Sequence, residues 1–126
     1  MTTNKTYTPI LIDSVLAAAD LQQKRFVGFD GNCCTAGAKA LGVVDVTTEK
    51  GQYTPVAVPR TAKGQYTPVA VLGTLLVEAG GTIAIGDAIA SDGEGRAVKV
   101  ADSAIANGYA KDAGTEGQEI RIVRGI

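Results

Sequence analysis

The sequence predicts an all-β fold: one small single-domain barrel or sandwich of short strands joined by Gly and Asp turns. Three observations carry that expectation. The chain has 16 glycines in 126 residues, with Asp-Gly at Asp30-Gly31 and Asp92-Gly93, so tight turns are frequent and strands must be short. Its apolar share is 45% but its aromatic share only 5%, with no Trp, so a core must be built from Val, Ile, Leu and Ala. Finally, Lys63-Gly64-Gln65-Tyr66-Thr67-Pro68-Val69-Ala70-Val71 runs on into Leu72-Gly73-Thr74-Leu75-Leu76-Val77, a Gly-Gln turn followed by a buried strand. At 126 residues there is room for one core and not for two.

Taken in order, residues 1–12 read as an extended N-terminal arm, because Pro9 excludes a helix beyond its first turn, and residues 13–126 as the β domain. Asp13 to Gln23 stays open between extended chain and one short helix capped by Asp13 or Ser14, since Ala and Leu favour the helix. Lys24 to Phe29 is a strand that ends at the Asp30-Gly31 turn. Ala40 to Val46 is the next, with Gly42 marking a bulge or a close backbone approach. From Val77 to Val100, two Gly-bearing turns separate three short strands. Ala104 to Ala110 and Glu119 to Val123 close the chain, the latter with the period-2 alternation of a half-wet strand.

Two repeats overlie this order. Lys50–Ala62 and Lys63–Leu75 agree at their first nine positions and at the Thr in the twelfth, ten of thirteen, which is a tandem duplication with one copy extra. The second copy continues into apolar residues and belongs inside the sheet. The first meets Pro59-Arg60 and is expected at an edge or in an exposed hairpin, where Pro need not donate to a ladder. A weaker repeat lays Val27-Gly28-Phe29-Asp30-Gly31 over Ile89-Ala90-Ser91-Asp92-Gly93. In the same overlay Gly42, followed nine residues later by Gly51-Gln52, falls on Gly108, followed nine later by Gly117-Gln118.

Chemistry is sparse. Without His there is no Ser-His or Cys-His pair, and Asp87, Asp92, Glu94 and Asp112 are explained by turn backbone, so the chain is expected not to be an enzyme. No cofactor motif is present: Gly80-Gly81 and Gly93-Glu94-Gly95 lack the Lys-Ser/Thr end of a phosphate loop. A metal site is not expected either, for want of His or a second Cys pair, and Cys33 and Cys34 read as free thiols. A net charge of -1 with no basic cluster argues against nucleic acid or an anionic membrane as partner. No signal peptide or spanning segment is apparent, which predicts a soluble protein. The Gly-Asp turn between short strands at 80–90 invites a carrier-domain reading, yet its tip, Ser91 to Arg96, has no Lys to modify.

Ala19 to Gly31, Ala40-Leu41-Gly42-Val43-Val44, Val69 to Gly73, Glu78-Ala79-Gly80-Gly81 with Ile85-Gly86-Asp87, Ser91 to Ala97, and Asn107-Gly108-Tyr109-Ala110 together resemble the small capsid cement, or head decoration, proteins of tailed bacteriophages. The resemblance runs from about residue 19 to the C-terminus and rests on turn patterns. It implies a compact virion protein made in the bacterial cytoplasm. Such a protein binds the major capsid protein on the outer shell surface, stabilises the shell, and forms a homo-oligomer, with a trimer favoured. A tail- or fibre-associated β module is the next reading, and a small carrier or ligand-binding barrel the one from another class. Contacts to shell or neighbouring subunits are expected from the arm, Thr6, Tyr7, Thr8, Pro9, Ile10 and Ile12, and from the exposed first copy, Tyr53, Val56, Val58, Pro59 and Arg60.

Overall fold

The computed structural model describes residues 8–44, 60–61, 64, 66–101 and 104–125. In chain order its strands are β1 (Thr8–Leu16), β2 (Leu21–Gln22), β3 (Phe26–Val27), β4 (Gly42–Val44), β5 (Arg60–Thr61), β6 (Tyr66–Glu78), β7 (Ala88–Ser91), β8 (Ala97–Lys99), β9 (Gly108–Ala110) and β10 (Glu119–Arg124). Eight of them form one antiparallel sheet that curls into a nearly closed barrel, and β2 pairs β5 in a separate ladder. The fold class is all-β, as the composition predicts.

β6 is the spine. Its register puts β1 along Tyr66–Thr74, β4 against Val69 and Ala70, and β10 against Gly73–Glu78. Val69, Ala70, Gly73 and Thr74 are each claimed twice, and a strand has only two edges, so β4 and β10 lie end to end on the edge opposite β1. Val69, Leu75 and Val77 are buried here, and burying each such side chain contributes about 1.5–3 kcal/mol. The second tandem copy therefore supplies the interior strand. Of the first copy only Arg60–Thr61 is described, in β5, and the rest lies outside the described residues.

The short helix allowed at 13–23 does not form. Asp13 to Leu16 belongs to β1, each residue in register with β6 from Val69 back to Tyr66, and these ladder bonds outweigh the helix propensity of the Ala and Leu that follow. The strand runs through the expected boundary between residues 12 and 13. Its register shifts between Pro9 and Ile12, leaving Ile10 without a partner. Gly42 proves to be a close approach: a Cβ there would stand 2.2 Å from the Ala70 carbonyl oxygen.

The weak repeat is real, and larger than the residues that suggested it. Val27 pairs Gly42 as Ile89 pairs Gly108, and Phe26 pairs Val43 as Ala88 pairs Tyr109. Lys24 N donates to Val44 O as Gly86 N donates to Ala110 O, and Gly64 N to Ala17 O as Gly117 N to Ala79 O. Leu21 faces Thr61 as Ile83 faces Gly114, and Val15 faces Thr67 as Val77 faces Ile120. A small core of Ala17, Leu21, Val27, Val44 and Val69 has its counterpart in Ala79, Ile83, Ile89, Ala110 and Ile122 within the larger one. One detail of the overlay is corrected by the hairpin bonds. Gly28 N donates to Asn32 O and Asp92 N to Arg96 O, so Gly31 (φ 85) matches Gly95 (φ 80), and Asp30-Gly31 is two residues out of step with Asp92-Gly93.

These registers locate the duplication. Twenty-two residues separate Gly42 from Gly64, both glycines of the first half, whereas nine separate Gly108 from Gly117, and the difference is the thirteen-residue unit. Gly64 and Gly117 open their strands at φ 88 and φ 87, a conformation that Gly adopts without strain. Deleting Lys50–Ala62 places Thr48 three residues before Gly64, where Thr61 now stands, so the ladder with Leu21 retains a Thr. The shortened chain is expected to fold cooperatively, and the shorter loop favours it by about 0.8 kcal/mol. Urea unfolding of both chains checks this, and a deleted chain with no folded baseline would show that residues 50–62 complete the core.

Candidate functional site

Nine large apolar side chains are exposed among the described residues, and all but Ile85 and Ile105 lie on β1 or in the cleft beside it. Four of them, Ile10, Leu11, Ile12 and Leu16, lie on β1, and Ile10 is 80% exposed. Phe29, Leu72 and Tyr109 line a cleft of about 390 Å³ beside it. Leu11 is in register with Leu72, so strand and cleft are continuous. β1 pairs β6 along one edge, and its other edge has no strand partner among the described residues. Asp13 is the only charged side chain on it, and an open edge with no Lys invites a further strand.

Lys39 and Arg124 also line the cleft. Arg124 closes the place where β10 and β4 meet end to end. Its Nε donates to Asn107 O at 2.9 Å, its Nη1 to Val71 O at 2.9 Å and Leu41 O at 2.5 Å, and its Nη2 to Ala40 O. Four of its five N–H donors are thereby spent on carbonyls, and burial lowers its pKa from the ordinary guanidinium value. Asn107, itself buried, completes the clip by accepting from Ala40 N and donating to Ala38 O, both at 2.9 Å. Arg124 is thus a structural fastener behind the apolar surface.

The acids stand in turns. Asp92 Oδ1 accepts from Glu94 N and Arg96 N, and its Oδ2 from Arg96 Nε. Asp112 takes Arg121 in a two-pronged ion pair and also its backbone N–H. Asp87 accepts from Ala84 N at the Ile85-Gly86 turn. These carboxylates fix hairpins, and among the described residues no three Cys, Asp or Glu converge as metal ligands. A second cleft, of about 300 Å³, includes Arg25, which Glu78 engages at 3.2 Å. Cys33 and Cys34 are free thiols whose pKa values burial raises.

No protein-family model matches the chain, and no curated protein matches it. Among solved structures it is similar to the N base of head fiber gp8.5 in bacteriophage phi29, at 24% identity and a TM-score of 0.57, over 91% of this chain and 93% of that one. The likeness shows the fold.

Of the residues that sequence reasoning assigned to contacts, Ile10 and Ile12 are exposed on β1, and Thr8 and Pro9 begin that strand. Arg60 is set apart from them in the ladder of β5 with β2. Thr6, Tyr7, Tyr53, Val56, Val58 and Pro59 lie outside the described residues. The sequence reading missed Leu11, Leu16, Phe29, Leu72 and Tyr109. A signal was present for Phe29, an aromatic beside an Asp-Gly turn in a chain with so few aromatics.

Two measurements check this account. Arg124→Lys keeps the charge but loses the planar fork, and is expected to destabilise the fold by about 1–3 kcal/mol in denaturant unfolding. Raised thiol pKa values mean less thiolate at neutral pH, so both cysteines should react far more slowly with an alkylating reagent than in urea, and Cys34, 2% exposed, more slowly than Cys33.

Proposed function

We propose that this chain is a bacteriophage virion structural protein, a decoration module that binds the major capsid protein on the outer surface of the head and stabilises the shell. The observation that carries the reading is the barrel shared with the phi29 head-fiber base over nearly the whole of both chains, together with a continuous apolar surface on β1 and the adjoining cleft. Its action is binding, not turnover: the turn acids are spent on hairpins. Attachment runs through the edge of β1 that has no strand partner among the described residues and through Ile10, Leu11, Ile12 and Leu16, and copies associate as a homo-oligomer, with a trimer favoured. Charge steers it little, so binding should be insensitive to salt.

Purified protein mixed with DNA-free expanded shells should load to a fixed stoichiometry. Ile10→Asp and Ile12→Asp, at exposed positions, should leave the melt nearly unchanged and weaken loading at least tenfold, as about 1–2 kcal/mol per lost apolar contact implies. Full loading by the doubly substituted chain would remove β1 from the interface, and no loading by the unsubstituted chain would remove the capsid.

The name of the solved neighbour favours one other reading, a base that seats a fibre on the head. On that reading, shells carrying this protein acquire a further fibre protein from a phage lysate, whereas a decoration module leaves them unchanged.

A further inference from the structure

Strand β6 occupies a slot between β1 and β4, and what fills that slot is Tyr66-Thr67-Pro68-Val69-Ala70-Val71. The chain carries the same six residues, preceded by the same Lys-Gly-Gln, at Tyr53–Val58. We infer that the slot is a strand-binding site with two claimants in the same chain, so that either tandem copy fills it and the folded protein has two registers thirteen residues apart.

The second half of the fold argues that the first copy fits. There, nine residues carry the chain from Ala110 at the end of β9 to Glu119 at the start of β10. In the first half nine residues also separate Val44, at the end of β4, from Tyr53, whereas twenty-two separate it from Tyr66. With the first copy in the slot, Gly51 takes the place of Gly64 and Thr48 that of Thr61, both identical residues, and the connection becomes as short as its counterpart. Asp13 then faces Val56 in place of Val69, and Ile12 faces Ala57 in place of Ala70, so the ladder pairs from Ile12 to Leu16 keep their side chains.

The observed register has its own advantage, which decides the ratio. The second copy runs unbroken into Leu72 and Gly73, where Leu72 meets Leu11 and Gly73 adopts φ 109 between Pro9 and Arg124. The first copy has Pro59 and Arg60 at those places. Pro cannot donate and Arg resists that backbone conformation, so the chain must leave the sheet after Val58 and return at Gly73. The thirteen-residue excess then moves from the connection before the slot to the one after it. The alternative closes two connections where the observed register closes one, so its closure cost is the higher and adds to the loss of the passage through Leu72.

The test uses the full chain and an Asp in either claimant. Val69 is fully buried, so Val69→Asp makes the second copy unfit for the slot. The expected result is a Val69→Asp protein that still melts cooperatively, at a lower temperature, with backbone amides 56–58 newly protected from hydrogen exchange. Val56→Asp alone should leave the melt unchanged, and the double variant Val56→Asp, Val69→Asp should lose the folded state. A Val69→Asp chain as unfolded as the double variant overturns the inference, because the first copy then cannot enter. A Val69→Asp chain that stays folded without protection at 56–58 overturns it too.

Discussion

The rest of the structure depends on one strand being paired along both edges. β6 closes the first half of the molecule with Tyr66–Val71 against β1 and opens the second with Gly73–Glu78 against β10. The two roles meet at Gly73, whose φ of 109 is a conformation that Gly adopts without strain. A strand shared in this way ties two small cores together that would each be marginal alone. It also explains Arg124: where β4 and β10 abut on the same edge the ladder is interrupted, and the guanidinium supplies donors to the carbonyls left there.

How much of this was legible in the sequence follows from which forces act locally. Glycine spacing and β-branched runs gave the strands from Phe26 onward, because turn backbone and alternation are properties of neighbouring residues. The weak repeat was legible for the same reason, since Gly42, Gly108 and Gly117 are demanded by backbone geometry. Residues Asp13–Leu16 were not, because Ala-rich sequence beyond them favours helix and only the ladder with Tyr66–Val69 decides otherwise. Pro59 told which copy could continue, but the deeper reason, a positive φ at Gly73 that Arg60 would have to match, exists only in three dimensions. Phe29, Leu72 and Tyr109 come from three separate strands or turns, so their convergence could not be read from order along the chain.

The two halves share a frame, so their differences point to what the frame alone does not require. In the second half the opening strand presents Thr74, Leu76 and Glu78 on one side and buries Leu75 and Val77 on the other. In the first half the matching positions of β1 are Ile12, Ser14 and Leu16 on the one side, and Asp13 and Val15 on the other. At four of the five positions the polar and apolar roles are exchanged: Ile12 stands for Thr74 and Leu16 for Glu78, apolar for polar, Asp13 stands for the buried Leu75 and Ser14 for Leu76, polar for apolar, while Val15 and Val77 agree. Folding gives no reason for that exchange, since the frame is satisfied by the other pattern a few residues away. Apolar side chains placed outward lower the free energy only when something covers them, and each such side chain left in water forgoes about 1.5–3 kcal/mol. The asymmetry inside the repeat therefore sets β1, with Ile10, Leu11, Ile12 and Leu16 exposed, apart from β8, where Lys99 is exposed.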